Sequence, residues 1–136
     1  MKKIILLAIA SVYLVSCSHG ITEHFPHKIS SNQYSEIWIV RNKNTFGSGN
    51  SAKITLDGKA IAFLGIGEFI HFQVTPDVHS VGTPESTIAI PFKENEKYFF
   101  LISILGFGGQ GFETERIDPQ DAKTRIDSSI ELVTPL

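Results

Sequence analysis

Short segments of alternating apolar and polar residues, separated by turn-forming residues, constrain the fold of this chain most. Glu36–Arg41 is one such segment. Ile37 and Ile39 fall on the opposite face from Trp38, and both residue types favour strands. Similar segments, with turn signals about every eight to twelve residues, continue as far as residue 117. The pattern predicts a mainly all-β fold, a β-sandwich of about seven short strands.

The dipeptide Asp57-Gly58 is the clearest turn signal in the chain. It lies between two of these segments, and a type I′ hairpin turn needs positive φ at both central positions, which Asp and Gly tolerate. The sequence therefore predicts a hairpin of Ser51–Leu56 with Lys59–Leu64. Its register turns one set of side chains to the core (Ala52, Ile54 and Leu56) and another to water (Lys53 and Thr55).

The last third of the chain contains a mostly apolar strand and then a helix. Tyr98–Leu105 is apolar on both faces, so we expect it in the middle of a sheet that is covered on both sides. Asp118 before Pro119 is a typical start of a helix. Apolar residues then recur at helical spacing, which predicts a C-terminal helix from Pro119 to about Leu132. A strand at residues 130–133 is the alternative for the end of this segment.

The beginning of the chain has the composition of an export signal. Lys2 and Lys3 precede Ile4–Val15, which is uncharged and mostly apolar. As a helix this run would be only about 18 Å long, whereas the hydrocarbon core of a bilayer is about 30 Å thick. The run is therefore too short for a transmembrane helix and is interpreted as part of a signal peptide.

Leu14-Val15-Ser16-Cys17 resembles the lipobox of bacterial lipoproteins. The resemblance implies cleavage between Ser16 and Cys17 and a diacylglycerol on the Cys17 sulfur, usually with a third acyl chain such as palmitate. Each buried methylene contributes roughly 0.8 kcal/mol, so two or three chains hold a protein on a membrane. By resemblance to lipoprotein sorting in bacteria with two membranes, Ser18 favours the outer membrane, facing the periplasm. The alternative is an ordinary secretory signal cut at residues 8–10, which leaves the only cysteine as a free thiol.

These features predict three parts: a signal peptide in residues 1–16, a lipidated cysteine with a flexible tether in 17–34, and a β-sandwich domain with its C-terminal helix in 35–136. Residues 18–33 are polar and show no period, and a tether of that length reaches at most about 50 Å. We expect this tether to be solvated rather than to bind a metal, because its histidines lack a fixed geometry. These histidines are His19, His24 and His27.

The charge of the chain argues against binding to nucleic acid. There are 12 Lys+Arg and 14 Asp+Glu, and two of the lysines belong to the predicted signal peptide, so the remainder is acidic. An acidic domain lacks the basic surface that binds phosphate backbones. No cysteine remains for a disulfide within residues 35–136, but a domain of about this length buries a core without one.

Four short motifs follow one another along the chain: Leu56-Asp57-Gly58-Lys59, Gly67 with Phe69, Pro76 with His79, and Lys97-Tyr98-Phe99. Their order resembles an uncharacterised family of small bacterial lipoproteins and secreted domains of unknown function, patterned LDGK, G-x-Y, PG-x-H and GK-x-YY. The resemblance covers Ser35 to Val133 and implies a transthyretin-like or immunoglobulin-like sandwich closed by a C-terminal segment. Asp77 and Asn95 stand at or near glycines of the family pattern. The family brings no known catalytic residues.

No sequence motif of a catalytic centre occurs in residues 35–136: there is no nucleophile elbow, no His-Glu-x-x-His and no cysteine nucleophile. We therefore predict no catalytic residue, no metal and no cofactor, and interpret the protein as a non-catalytic binding or assembly module of the envelope. An envelope hydrolase or metal-binding enzyme is the alternative. It would use His71 and His79, which flank Pro76 and would meet on neighbouring strands.

The glycine-rich segment Gly106–Gly111 is a second candidate for function. It lacks the Lys-Ser/Thr ending of a phosphate-binding loop and opens no predicted helix. A flexible connection is the simplest interpretation of this loop. A contact with an envelope protein partner through Phe107, at its tip, is the functional alternative.

Overall fold

Ten strands and one helix are present in the residues that the structure describes, which are 20–43, 50–105 and 111–133 of a computed structural model. In chain order the elements are β1 (Gly20–Ile21), β2 (Ser35–Arg41), β3 (Ala52–Leu56), β4 (Lys59–Leu64), β5 (Glu68–Val74), β6 (Val78–Thr83), β7 (Ser86–Pro91), β8 (Lys97–Ile104), β9 (Phe112–Arg116), α1 (Pro119–Asp127) and β10 (Ile130–Glu131). Within these residues, no helix has the length and apolar character needed to cross a membrane.

The strands form two five-stranded sheets. The first sheet has the order β1-β4-β3-β6-β7, and the second sheet has the order β10-β5-β2-β8-β9. Neighbouring strands are antiparallel except for the pairs β2–β8 and β5–β10, which are parallel. The predicted fold class, a mainly all-β sandwich with a C-terminal helix, is confirmed. Ten strands are described where about seven were expected, and two of them are the two-residue strands β1 and β10, each of which extends one edge of a sheet.

The core lies between the two sheets, because each sheet turns its apolar residues to the other. Ile37 and Ile39 of the second sheet have no exposed surface, and neither do Ile54 and Leu64 of the first sheet. These side chains belong to one continuous cluster. Trp38 lies on the opposite face of β2 and is half-buried, as the alternation predicts.

Strand β8 is an interior strand of the second sheet, paired with β2 on one side and with the edge strand β9 on the other. Phe100 on its inner face belongs to the core between the sheets. Leu101 on its outer face packs with Ile117 and with Ala122 of α1. The helix therefore covers part of the outer face, and the prediction of a central strand covered on both sides is confirmed.

The helix begins where the sequence predicts and ends earlier. The carboxylate of Asp118 accepts hydrogen bonds from two amides of the first turn, both at 3.0 Å. The prediction that the helix continues to about Leu132 is wrong, because α1 ends at Asp127. Ile130 instead donates its amide proton to the carbonyl of Gly67 at 2.8 Å and begins β10. The alternative of a strand is thus confirmed for the two residues of β10.

The β3–β4 hairpin forms around the predicted turn. Asp57 has φ 50° and Gly58 has φ 81°, as a type I′ turn requires. One side chain of this hairpin departs from the prediction, since Thr55 is buried rather than turned to water. Thr55 pairs with Gly82 of β6, and its hydroxyl donates to the Gly82 carbonyl at 3.4 Å. The bulge of this hairpin lies in β4, where Ile61 is the extra residue between Ala60 and Ala62.

Part of the predicted flexible tether is packed on the domain. β1 pairs with β4, and the Thr22 amide donates to the Ile61 carbonyl at 3.0 Å. The ring of Phe25 contacts Phe72 edge to face, with ring centroids 5.9 Å apart. The tether prediction is therefore wrong for residues 20–29. Backbone pairing with β4 and burial of an isolated aromatic ring hold this segment in place.

Candidate binding site

A cleft of about 660 Å³ lies between the N-terminal segment and the second half of β5. Residues 22–28 contribute one wall, and residues 71–73 contribute the other. Phe25 and Phe72 give it an apolar base. Its volume falls within the range of about 300–1,000 Å³ that is typical of ligand pockets.

The wall formed by the N-terminal segment is fixed at both of its ends. The Thr22 hydroxyl donates to the Ala60 carbonyl at 2.7 Å. The Ile29 amide donates to the side-chain oxygen of Gln73 at 2.8 Å. The segment therefore passes from the edge of the first sheet to the edge of the second, and the cleft is a built part of the fold.

The other wall is an open edge of the second sheet. The Phe69 carbonyl accepts a hydrogen bond from the Leu132 amide and therefore points away from β2. Since backbone groups alternate along a strand, the N–H and C=O of His71 and Gln73 point to the same outer side. β10 ends at Glu131, before it reaches them, and neither has a backbone partner on that side among the described residues. The cleft thus contains unpaired strand backbone.

A stack of three aromatic rings holds His71 beside the cleft. Trp38 lies between His71, with ring centroids 4.0 Å apart, and Phe99, with centroids 5.0 Å apart. Glu36 Oε1 is 3.3 Å from Nε2 of His71, and Lys97 Nζ is 5.7 Å from the centroid of Trp38. These contacts on the outer face of the second sheet fix the orientation of the His71 ring. The wall formed by β5 is therefore pre-organised.

A second hollow, of about 400 Å³, lies between β8 and α1. It is lined by Lys97, Phe99, Pro119, Lys123, Ile126 and Asp127. Because β8 is paired with a neighbour on both sides, this hollow offers no open strand edge. The cleft beside β5 is the better candidate for recognition of another chain.

His79 holds the tip of the β3–β4 hairpin. Its Nδ1 is 2.7 Å from the Asp57 carboxylate, and its Nε2 is 2.9 Å from the Thr75 carbonyl oxygen. The Ser80 amide donates to the same carboxylate at 2.9 Å. Burial raises the pKa of Asp57, but the hydrogen bonds from His79 and Ser80 and the charge of His79 outweigh it and leave this pKa below its usual value. The contact attaches the hairpin to β6, which is a structural role.

His71 and His79 do not share a site. The hypothesis that they meet on neighbouring strands is wrong, because β5 belongs to the second sheet and β6 to the first. Each histidine faces a different carboxylate, Glu36 for His71 and Asp57 for His79. In the described ranges, no three or more His, Cys, Asp or Glu side chains are grouped so as to hold a metal ion.

The remaining residues singled out in the sequence fall into two groups. Ser16 and Cys17, at the predicted cleavage and lipidation site, lie outside the described residues, and so does Phe107 of the glycine-rich loop. His24 and His27 are both exposed, and His27 also lines the cleft. The sequence did not predict the cleft, although Phe25 within a mostly polar stretch is a signal of buried structure.

Comparisons of the chain with protein-family models, with curated proteins and with solved structures found no match. Its function is therefore argued from the geometry of its own residues.

Proposed function

We propose that this protein is a lipid-anchored lipoprotein of the bacterial envelope that binds an extended segment of a partner protein in the cleft beside β5. The open strand edge within that cleft is the observation that carries the binding role. The lipobox-like sequence at Cys17 supports the anchor. The role is non-catalytic, and it consists of recognition or assembly at the membrane.

An extended peptide suits this cleft because it can pair with the open backbone groups of β5 and also fill the apolar base. Added as a further strand, it pairs its backbone with the outward N–H and C=O groups of His71 and Gln73. Main-chain hydrogen bonds of this kind provide affinity, while pockets for alternate side chains provide specificity. The base formed by Phe25 and Phe72 accepts an apolar side chain, and His27 and Lys28 line the rim.

Two substitutions at Gln73 separate backbone pairing from side-chain contact. Peptides selected by display on the full-length protein serve as ligands. Gln73→Ala removes the bond to the Ile29 amide and keeps the backbone N–H, whereas Gln73→Pro removes both. Proline is tolerated at an edge where the N–H faces outward. We expect Gln73→Ala to retain most peptide binding and Gln73→Pro to lose it.

The same experiment has outcomes that contradict the proposal. Equal affinity of both variants for the selected peptides would show that backbone pairing at this edge is not used. Peptide binding that leaves the hydrogen exchange of the His71 and Gln73 amides unchanged would place the ligand elsewhere. Selection that yields no binding peptide would also count against the proposal.

The anchor is tested separately in cells. Radiolabelled palmitate is expected to enter the wild-type protein and not a Cys17→Ala variant, and equal labelling of both would overturn the anchor. Separation of inner and outer membranes by density then tests the effect of Ser18. We expect the labelled protein in the outer-membrane fraction, and its recovery with the inner membrane would contradict that localisation.

A further inference from the structure

β10 covers the first half of the β5 edge whose second half opens in the cleft. Two amides hold it there. Ile130 donates to the Gly67 carbonyl at 2.8 Å, and this bond begins the pairing. Leu132 donates to the Phe69 carbonyl, also at 2.8 Å, just after the strand has ended. On the other side of β5, β2 pairs along the whole of residues 35–40. The outer edge of β5 is therefore covered much less extensively than its inner edge.

The side chains of β10 add little burial to its backbone bonds. Ile130 is 75% exposed, and Glu131 is exposed as well. Val133, just beyond the strand, is 62% exposed. Leu132 is the exception, since it is partly buried against the core between the sheets. Backbone pairing and this one apolar contact thus attach the strand to the domain.

A longer partner strand gains more from this edge than a strand confined to the cleft. With β10 in place, the outward backbone groups of His71 and Gln73 are open to a partner. With β10 displaced, the carbonyls of Gly67 and Phe69 are open as well. All four residues share one side of the strand, because outward groups recur at every second residue. Main-chain hydrogen bonds provide the affinity in strand addition, so the full edge offers about twice the bonding of the cleft alone.

We infer that β10 is a replaceable strand, and that a partner segment longer than the cleft displaces it to pair with β5 from Gly67 to Gln73. The inference rests on the proposed function, because the partner is the extended segment that the cleft binds. The position that Leu132 leaves lies opposite Ile70 and faces the core. The next position on the same face lies opposite Phe72, in the cleft. The partner therefore carries two apolar residues separated by one other residue, whichever direction it runs.

β10 competes with such a partner because it belongs to the same chain. Ser128 and Ser129 are the only residues between α1 and β10, so the strand stays close to its edge. A tethered strand has a high effective concentration. It lowers the apparent affinity for a long segment according to the fraction of the protein in which the edge is covered. Weakening β10 should therefore tighten the binding of long segments and leave that of short segments unchanged.

Two proline substitutions in β10 test this competition in the full-length protein. Ile130→Pro removes the amide that donates to Gly67. Glu131→Pro is the matched control, because the Glu131 amide points away from β5, where proline is tolerated. A display-selected peptide is used in two lengths, a core of about four residues and a form that further selection extends by about four. We expect Ile130→Pro to bind the extended peptide about tenfold more tightly than wild type does, and the core peptide equally. Glu131→Pro should bind both peptides as wild type does.

Hydrogen exchange in the wild-type protein follows the displacement directly. Both peptides should protect the His71 and Gln73 amides, but only the extended peptide should speed the exchange of the Ile130 and Leu132 amides. If these two amides stay protected with the extended peptide bound, or if wild type and Ile130→Pro bind it equally, strand replacement is overturned and the proposed function stands. Absence of binding by either peptide would overturn both.

Discussion

Asp57 stabilises the fold through its carboxylate as well as through its turn conformation. From the turn alone, Asp57→Asn is expected to be silent, since Asn also tolerates positive φ. In the structure the Asp57 carboxylate also contacts His79. The side-chain amide of Asn would keep the shape of this group but not its negative charge. The pKa of Asp57 is lowered in the folded state, so the carboxylate stabilises the fold above its usual pKa of about 3.9. That stabilisation is lost as the pH falls through the lowered folded-state value.

Asp57→Asn should therefore be less stable than wild type near neutral pH, and the difference should shrink as the pH falls below the usual Asp pKa of about 3.9 toward the lowered folded-state value. Urea unfolding of the full-length protein across this range measures it. Asp77→Asn, at an exposed position beyond the end of β5, serves as the control. A stability difference that does not depend on pH would contradict this role for the carboxylate.

Gly58 is required for its backbone conformation and not for the space around it. No atom lies within 4 Å of a Cβ added at this position, and its φ is 81°. Gly58→Val should lower the free energy of unfolding by about 1–3 kcal/mol through backbone strain. Gly58→Asn should cost much less, because Asn tolerates the left-handed region. Thermal melts compare the two, and equal melting temperatures for both variants and wild type would mean that the turn carries no strain.

At the scale of elements, Phe25 tests whether the N-terminal segment belongs to the domain. Its ring packs on the core beside Phe72 and is half-buried. Phe25→Ala should lower the free energy of unfolding by about 2 kcal/mol, less than the roughly 3–5 kcal/mol of a fully buried Phe. His24→Ala, at an exposed neighbouring position, should have little effect. If chemical denaturation shows no difference between the two variants, this segment is a free tether after all.

Elements fixed by local patterns were predictable, and elements fixed by distant hydrogen bonds were not. The alternation of β2 and the Asp57-Gly58 turn are local properties of the chain, and both were correct. The end of α1 was missed because the Ile130 amide pairs with Gly67, far away in sequence. β1 and the adjoining segment depend in the same way on β4. The cleft lies beside this segment, so no local pattern revealed it.

On the scale of the whole molecule, the two sheets are joined along one side by β7 and β9. The Thr114 hydroxyl donates to the Ser86 carbonyl at 2.6 Å, and the Ser86 hydroxyl accepts from the Thr114 amide at 2.9 Å. Gly82 lies directly beneath this junction. A Cβ there would lie 2.2 Å from the Ser86 oxygen, and its φ of 144° is also unfavourable for other residues.

Gly82→Ala should therefore lower the free energy of unfolding by about 2–3 kcal/mol or more, through overpacking and strain. Gly20→Ala is the control, since nothing lies within 4 Å of the added methyl group. Urea unfolding followed by fluorescence of the single tryptophan, Trp38 in the second sheet, reports the loss. A midpoint equal to that of the control would show that the junction adapts without cost.

The pairing of Gly20 with Phe63 has a consequence for the height at which the domain sits above the bilayer. With Cys17 acylated as proposed, only three residue steps separate the lipid from β4, and fully extended they span about 11 Å at most. The domain is then held close to the bilayer, with the β1 edge of the first sheet facing the headgroups. Thr22, which lines the cleft, follows directly. A partner must therefore present its strand close to the membrane surface, as another anchored protein or a juxtamembrane segment does.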